Sequence, residues 1–443
     1  MTDRPLAVVV LAAGKGTRMR SERPKVLHPV AGRPMLAHVL AAAEALSPQK
    51  IVVVLAPGMD SVAEAAQPHT VAIQEAQRGT ADALKAARGA LAGFGGDVLV
   101  LYGDCPLIRA ETLARMRRER LDEAVTVLGI RVRGESAYGR LILAADGTLD
   151  RIVETLDAKP EELVDLCNSG VMLIDGKHMF PLLDAIGSAN AKGEYYLTDI
   201  VGEARRTGLA ARVVEAPAVE ALGVNSRAEL AEAEAQMQAR LRASAMENGA
   251  TLIDPSTIWL SFDTKLGRDV TVGPSVFFGP GVTVADRVEI RAFCHLEGAN
   301  VAEGAIIGPF ARLRPGARIG VGAHVGNFVE IKNALLDAGA KANHLAYLGD
   351  AEIGAGANIG AGTITCNYDG FNKHRTIVGA GAFIGSDTTL VAPVKVGAGA
   401  FVGAGSTVTD DVPEDALAIA RGRQAVKLGW ARMFRAARTK KKD

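Results

Sequence analysis

The sequence predicts two domains of different fold class, an α/β domain with a Rossmann-like, mostly parallel sheet and a parallel β-helix of hexapeptide repeats. Two observations predict them. Up to about residue 225, Val- and Leu-rich runs alternate with helical patterns. From about residue 266, an aliphatic residue recurs at every sixth position, a spacing that suits neither a helix nor a half-buried strand. We therefore assign residues 1–225 to the first domain, 226–248 to a linker helix, and 249–443 to the β-helix domain with a basic tail.

The first domain is predicted from its continuous apolar runs. Such runs are typical of strands that are covered by helices on both faces of a sheet. The strands are predicted at residues 7–14, 50–57, 97–104 and 123–130, and residues 34–46 and 79–92 have the pattern of crossover helices.

The linker is predicted as one helix over residues 226–247. Leu230, Met237 and Leu241 can share one face of it, and Ala and charged residues fill the remainder. The Asn248–Gly249 pair is a typical helix stop.

The second domain is predicted from the phase of its aliphatic residues. One register runs from Leu266 to Leu296, and a second from Val301 to Val325 after a one-residue slip. Ile353 and Ile359 resume the period, and residues 378–408 complete it. In a β-helix each aliphatic side chain points into a narrow interior, and the small residue after it, often Gly, allows the chain to turn the corner. Residues 331–349 and 365–376 break the register, and we expect both as external loops.

Composition limits the classes of function. The 443 residues carry 50 basic and 50 acidic side chains, so no global field attracts nucleic acid or an anionic membrane. The apolar run near the start is too short to span a bilayer, and no leader or cleavage site is evident.

The four cysteines form no CxxC pair, which predicts reduced thiols in a cytoplasmic protein; they are Cys105, Cys167, Cys294 and Cys366. We expect the basic end, residues 432–443, to be a solvated disordered tail, with an anion-binding arm as the alternative.

The most informative stretch is residues 11–36, LAAGKGTRMRSERPKVLHPVAGRPML, which follows a predicted strand. It lacks the first Gly and the Ser or Thr of a Walker A loop, and it lacks the third Gly of a dinucleotide fingerprint. What remains is a Gly loop flanked by Arg18 and Lys25, which can wrap a polyphosphate. A surface turn with solvated charges is the alternative.

The spacing LxxGxGTRxxxxxPK resembles the signature of sugar-nucleotide pyrophosphorylases. Further motifs follow in that family's order: QRGTADAL (77–84), YGDCPLI (102–108), YGR (138–140), VE (153–154), CNSG (167–170) and LGVNSR (222–227). Together with the hexapeptide repeat, residues 6 to about 430 resemble the bacterial bifunctional N-acetylglucosamine-1-phosphate uridyltransferase / glucosamine-1-phosphate acetyltransferase family. The resemblance implies a left-handed β-helix and two activities that together produce UDP-N-acetylglucosamine.

The resemblance also implies roles at the first site. Arg18, Lys25 and Mg²⁺ would neutralise the phosphates of UTP, and Asp104, a hard oxygen ligand at a strand end, would hold the metal with Asn225. A turn cap is the alternative role for such an Asp. Residues expected to contact the nucleotide or sugar are Leu11, Ala12, Ala13, Gly14, Lys25, Gln74, Gly79, Thr80, Tyr102, Gly103, Asp104, Gly139, Glu154, Asn168 and Asn225. One departure is Leu156, where the family commonly has Lys. If that Lys binds sugar or phosphate, this puts the affinity or the order of binding in doubt, whereas we expect the reaction to be the same.

At the second site, the resemblance makes His344 the general base that accepts the proton of the sugar amine. It also implies that glucosamine-1-phosphate is bound by Arg314, Lys332, Tyr347 and Asn358. The residues that it implies for acetyl-CoA binding are Ala361, Asn367, Tyr368, Ser386, Ala404 and Arg421. Because a triangular prism has little concavity, it also implies a homotrimer with shared active sites.

Two other functions remain open from the sequence. One is a single-activity sugar-1-phosphate nucleotidyltransferase whose β-helix only oligomerises or regulates, and the other is a non-enzymatic solenoid scaffold. The set of Arg314, Lys332 and His344 argues against the first.

Overall fold

The computed structural model of the protein describes residues 4–134 and 137–439. The chain folds as two compact units, of which the first extends to Leu241 and the second begins at Arg242. The division falls inside the helix that the sequence predicts as a linker.

The first unit alternates strands and helices. Its strands are β1 (Leu6–Leu11), β2 (Pro29–Val30), β3 (Arg33–Pro34), β4 (Lys50–Leu55), β5 (Thr70–Ile73), β6 (Asp97–Tyr102), β7 (Val125–Arg131), β8 (Arg140–Leu143), β9 (Leu149–Val153), β10 (Leu166–Asp175) and β11 (Ala211–Ala216). Its helices are α1 (Met35–Glu44), α2 (Asp60–Ala65), α3 (Thr80–Ala86), α4 (Ala110–Glu119), α5 (Gly176–Ala185), α6 (Ile200–Arg206) and α7 (Arg227–Glu247). The four predicted strands and both predicted crossover helices are confirmed as β1, β4, β6, β7, α1 and α3.

The main sheet has the strand order β11-β7-β10-β6-β1-β4-β5. All neighbouring pairs are parallel except those of β10, which runs antiparallel to β6 and β7. Every residue of β1 is buried, because apolar clusters cover both faces of the sheet. This confirms a mostly parallel sheet whose strands lie under helices on both sides.

Helix α7 begins at Arg227 and ends at Glu247, as predicted. In the first unit its side chains Leu230, Ala233, Met237 and Leu241 pack against Val30, Met35, Leu107 and Val224, so half of this helix belongs to the core of that unit. Gly249 follows it with φ of +99°, which is the left-handed conformation expected of a helix stop.

The second unit is a parallel β-helix with three faces. The first face contains β12 (Thr251–Leu252), β14 (Thr271–Val272), β17 (Glu289–Ile290), β20 (Ile306–Ile307), β23 (His324–Asn327), β26 (Lys341–His344), β29 (Asn358–Ile359), β32 (Phe383–Ile384), β35 (Phe401–Val402) and β37 (Leu417–Ala418). The second face contains β15 (Phe277–Phe278), β18 (His295–Leu296), β21 (Arg312–Leu313), β24 (Glu330–Lys332), β27 (Tyr347–Gly349), β30 (Ile364–Cys366), β33 (Thr389–Val391) and β36 (Thr407–Val408). The third face contains β13 (Lys265–Leu266), β16 (Thr283–Val284), β19 (Asn300–Val301), β22 (Arg318–Ile319), β25 (Leu335–Leu336), β28 (Ala351–Ile353), β31 (Thr376–Val378) and β34 (Val394–Val396).

The chain visits the faces in the order first, second, third. We call the corner between the first and second faces the first corner, and that between the second and third faces the second corner. The aliphatic residues of the predicted registers, such as Val272, Leu313 and Val402, are buried between the faces. The predicted left-handed coil of hexapeptide repeats is therefore the architecture of this unit.

The prediction of an external loop at residues 331–349 is wrong. These residues form β24 to β27, and they continue the coil with Ile331, Leu336, Ala342 and Leu348 buried inside. The six-residue period is lost because the steps from Ile331 to Leu336 and from Leu348 to Ile353 are each one residue short, and because Ala342 replaces a large aliphatic residue.

The prediction for residues 365–376 is confirmed from Asn367 onward. After β30 the chain leaves the coil at the second corner and forms an exposed loop, which Tyr368 and Lys373 close by a β-bridge, before it returns in β31.

The end of the chain differs from the expected disordered tail. Residues Trp430–Thr439 form helix α8, none of whose residues is buried, and the final residues of the predicted tail, 440–443, lie outside the described part. None of the helices in the described residues is long and apolar enough to cross a membrane.

Candidate active sites

The first candidate site lies where β1 and β6 end. These neighbouring strands are parallel and in register, with Leu11 opposite Tyr102, so their carboxyl ends open onto the same edge of the sheet. A pocket at this edge is lined by the predicted residues Leu11, Ala12, Ala13, Gly14, Lys25, Gln74, Gly79, Thr80, Tyr102 and Asp104. Gly103 lies in the floor beneath, where its N–H donates to the Leu11 carbonyl.

The Gly loop folds back closely on Lys25. Gly16 has φ of +62°, and a Cβ placed there would lie 2.5 Å from the Cβ of Lys25. Only glycine allows both the left-handed conformation and this approach. The loop therefore fixes Lys25 over the strand ends.

The Lys25 side chain joins two other predicted residues. Its ammonium forms an ion pair with Asp104 and donates to Asn225 Oδ1 at 2.9 Å, and the residue is only 8% exposed. A carboxylate oxygen and an amide oxygen thus converge on one cation. The described residues contain no group of three or more His, Cys, Asp or Glu that could hold a metal.

Tyr102 forms the wall between this pocket and the region of the predicted sugar contacts. Burial, followed by the charge of Asp104, raises the pKa of the Tyr102 phenol, so the phenol stays neutral. Gly170 lies on the far side of the ring, with φ of +90°, and a Cβ there would lie 2.8 Å from it.

The predicted sugar contacts lie beyond Tyr102. The Asn168 N–H donates to the Gly139 carbonyl at 2.8 Å, and Thr198 Oγ1 donates to Glu154 at 3.0 Å. None of Gly139, Glu154 and Asn168 lines the pocket beside the Gly loop.

The sugar side carries an excess of acidic groups. Burial, followed by the charges of Glu154, Asp157 and Glu203, raises the pKa of Asp199 to about 6. Leu156, which stands where the family commonly has Lys, is 71% exposed.

The structure separates Arg18 from the other predicted residues. It is exposed on the short 3₁₀ turn Thr17–Met19 and does not line the pocket.

Four pocket residues were not predicted, namely Val26, Gln77, Ala83 and Glu194. The Gln77 amide donates to the Ala13 carbonyl at 2.8 Å and so ties the Gly loop to the opposite wall. Gln77 opens the QRGTADAL motif, which was a usable signal, whereas Glu194 lies in no motif that we identified.

The second candidate site begins with a cluster of cations at the second corner. Arg314 forms an ion pair with Glu330 at 2.8 Å, and the ammonium of Lys373 lies against that of Lys332. Contact with Lys373 lowers the pKa of Lys332, because two like charges disfavour each other's charged form. Lys373 was not predicted, because it lies in the external loop and only the fold brings it to Lys332.

His344 lies at the first corner, not in a loop as the sequence predicted. It is the last residue of β26, its ring is exposed, and its Nδ1 is 2.6 Å from Asn327 Oδ1. Tyr347 lies between His344 and the cations on the second face, opposite Glu330. Asn358 lies apart from these residues, on the first face.

The small residues predicted for acetyl-CoA follow one another along the same corner as His344. Asp387 N donates to the Ala361 carbonyl at 2.7 Å, Gly405 N to the Ser386 carbonyl at 2.7 Å, and the Arg421 guanidinium to the Ala404 carbonyl at 2.8 Å. These links join successive coils.

Asn367 and Tyr368, predicted with the same ligand, lie at the second corner instead. Asn367 is buried and donates to Asp350, whereas Tyr368 is exposed and donates to the Gly370 carbonyl.

Comparison with known proteins supports the two-part architecture. Residues 8–195 match the family model of the MobA-like NTP transferase domain, and residues 375–410 match that of the bacterial transferase hexapeptide (six repeats).

Full-length relatives carry both parts. The chain is 58% identical to "Bifunctional protein GlmU" of Paramagnetospirillum magneticum, over 100% of this chain and 99% of that protein. It is 60% identical to the protein of the same name from Rhodospirillum rubrum, with 97% of each chain covered, and 61% identical to that of Rhizorhabdus wittichii, with 100% and 99% covered. The chain therefore belongs to the GlmU family and is a bifunctional enzyme with a nucleotidyltransferase half and a hexapeptide-repeat acetyltransferase half.

Proposed function

We propose that the two units catalyse consecutive steps in the synthesis of UDP-N-acetylglucosamine, with the residues described above in the following roles. The carboxy-terminal unit acetylates glucosamine-1-phosphate, and the amino-terminal unit couples the product to UTP. The observation that carries the proposal is the convergence of Lys25, Asp104 and Asn225, of which Lys25 and Asp104 line the same pocket as Gly14 of the Gly loop.

In the uridylyl transfer, a phosphate oxygen of N-acetylglucosamine-1-phosphate attacks the α-phosphorus of UTP. A new P–O bond forms, and the bond to the β-phosphate breaks to release pyrophosphate. Because both reactants are polyanions, positioning and neutralisation of charge provide most of the catalysis. The backbone from Leu11 to Gly14 holds the nucleotide, and Lys25 supplies a fixed positive charge beside it.

The oxygens of Asp104 and Asn225 fit a magnesium ion. They already converge on one cation, the Lys25 ammonium, and Mg²⁺ needs few protein ligands when substrate phosphates and water complete its shell. When bound, the metal would add positive charge where the phosphates meet.

The sugar binds beyond Tyr102. Gly139, Glu154 and Asn168 are brought together there, and Thr198, which donates to Glu154, belongs to the same group. The carboxylate of Glu154 suits the hydroxyl donors of a sugar.

In the acetyl transfer, the amine nitrogen of glucosamine-1-phosphate attacks the thioester carbonyl of acetyl-CoA. The N–C bond forms, the C–S bond breaks to release the thiolate of coenzyme A, and the proton of the amine passes to the neutral imidazole of His344. Arg314, Lys332 and Lys373 hold the phosphate of the sugar at the second corner, and Tyr347 lies under the sugar on the second face.

Acetyl-CoA runs along the first corner past Ala361, Ser386 and Ala404. These small residues leave room for a pantetheine arm, and the charged Arg421 stands at the far end. This direction delivers the thioester toward His344, which lies on the same corner.

A homotrimer completes the second site. The corner that carries His344 also carries three exposed, stacked rings, Phe293, Phe310 and Phe328, with centroids 4.9 and 5.2 Å apart. An exposed apolar ladder of this kind is typical of a surface that another chain covers. We place a neighbouring prism against it.

The compartment that supplies UTP and acetyl-CoA is the cytoplasm, and we propose this location. The four cysteines are free thiols, as expected in a reducing compartment.

The experiment is an assay of the purified protein with glucosamine-1-phosphate, acetyl-CoA and UTP, each omitted in turn. We expect N-acetylglucosamine-1-phosphate when UTP is absent, and no sugar nucleotide when acetyl-CoA is absent. Pyrophosphate release from UTP with N-acetylglucosamine-1-phosphate, but no acetylation, would instead support a single-activity nucleotidyltransferase. Light scattering of the same sample tests the trimer.

A further inference from the structure

The hydrogen bond between His344 and Asn327 is built into the stacking of two coils. Strands β23 and β26 are each four residues long, whereas the other strands of the first face have two, and their longer pairing places Asn327 opposite His344. Gly326 makes this approach possible, because a Cβ there would lie 1.9 Å from the Asn343 carbonyl oxygen. The register, and not a flexible loop, therefore brings the two side chains together.

The hydrogen bond with Asn327 fixes the tautomer of the His344 imidazole. The oxygen of an amide can only accept a hydrogen bond, so the Nδ1 that faces Asn327 Oδ1 at 2.6 Å carries the proton. In a neutral imidazole the other nitrogen, Nε2, then has the free lone pair. In the described residues Nε2 has no hydrogen-bond partner, and the ring is exposed, so this lone pair faces outward from the corner.

The charged and titratable groups near the His344 ring do not set its tautomer. On its own strand lies Lys341, and on β23 lies His324, whose pKa is lowered by burial and then by Arg291 and Lys341. Glu289 lies one coil further away, on β17. None of these groups forms a hydrogen bond or ion pair with His344 in the described structure, so Asn327 alone selects the tautomer.

We propose that Asn327 is the positioning residue of the acetyltransferase, and that it holds His344 in the orientation and tautomer in which Nε2 takes the proton of the sugar amine. The inference rests on the proposed role of His344 as the base. It adds a residue that no motif of the sequence identifies and that acts through His344.

The test uses the full-length protein with Asn327→Ala and Asn327→Asp. For Asn327→Ala we expect kcat of acetylation to fall about 10–100-fold, the range typical of lost partners that orient an imidazole, with the KM for glucosamine-1-phosphate changed less than about threefold. For Asn327→Asp the acceptor remains but is charged, and a carboxylate beside the ring stabilises the protonated imidazolium. The acid limb of the kcat profile should move up by about one pH unit, with most of the activity restored at high pH.

The control is Asn300→Ala, which removes the same type of side chain from an exposed position of β19, on the third face. Uridylyl transfer, measured in every variant, reports that the chain is folded. Asn327→Ala with the kcat of the unaltered protein, or Asn327→Asp with an unmoved acid limb, would overturn the inference while the role of His344 stands. If His344→Ala keeps full acetylation, the proposed function of this unit fails instead.

Discussion

The two candidate sites differ in how much of each lies within one chain. At the first site, Lys25 is 8% exposed and joins Asp104 and Asn225, and the pocket that Lys25 and Asp104 line is formed by segments of one unit. At the second site, His344 and the cations around Lys332 lie on the outer surface of a prism, and the exposed rings lie on the corner that carries His344. An α/β sheet forms a cleft at its strand ends, whereas a packed solenoid offers only faces and corners. The first site should therefore depend on contacts within the chain, and the second on assembly.

The largest effect within one chain is expected for Lys25→Met. Removal of the ammonium leaves Asp104 without its partner and deprives the phosphates of a fixed charge, so uridylyl transfer should fall about 10²–10³-fold. A steady-state assay of pyrophosphate release measures this. Lys50→Met is the control, because the exposed Lys50 only donates to the Ala90 carbonyl. Near-normal turnover in Lys25→Met would contradict the role of this residue.

Assembly is tested by Phe310→Glu. A charge in the middle of the aromatic ladder should prevent a second prism from covering it, so the variant should be monomeric and lose at least about tenfold of its acetylation activity. Uridylyl transfer should persist. The matched control is Val321→Glu, which places the same charge at another exposed apolar position, 58% exposed. A monomeric variant with full acetylation would show that one chain contains the whole second site.

A smaller effect is expected for Leu156→Lys. An ammonium here would offset the acidic groups Glu154, Asp157 and Asp199 and attract the phosphate of the sugar, so the KM for N-acetylglucosamine-1-phosphate should fall about 2–5-fold. Leu156→Gln removes the exposed apolar side chain without adding a charge, and it should leave the KM where it is. Equal effects of Lys and Gln would rule out the electrostatic explanation.

The smallest effect concerns stability. The folded protein raises the pKa of Asp199 to about 6, above the ordinary value of 3.8, so ionised Asp199 destabilises the fold. This penalty is absent below about pH 4, grows as the pH rises to 6, and is complete above it. Because Asp199 is partly exposed, we expect Asp199→Asn to stabilise the amino-terminal unit by only about 1 kcal/mol at pH 7.5. Thermal unfolding at about pH 7.5 and pH 4.5 checks this, and an equal gain at both would contradict it.

The sequence predicted the parts of each site that depend on local pattern. The end of a buried strand followed by a Gly loop places Leu11 to Gly14, and the strand that ends at Tyr102 places Asp104 beside it, because parallel strands share one edge. The inward phase of residues such as Val272 and Val402 likewise predicts the coil.

What the sequence did not predict depends on contacts between distant segments. In the sequence, the coils that are one residue short at Leu336 and Ile353 resemble a loop. In the structure their strands still pair with those of the neighbouring coils. Lys373 reaches Lys332 only because the external loop folds over the second corner. Asn327 occupies an ordinary repeat position, and only the register of two coils pairs it with His344.

The most direct test of two independent reaction centres is to compare Asp104→Asn with His344→Ala. We expect Asp104→Asn to lose uridylyl transfer and keep acetylation, His344→Ala to do the reverse, and a mixture of the two proteins to produce UDP-N-acetylglucosamine from glucosamine-1-phosphate. Loss of both activities by either folded variant would contradict this account.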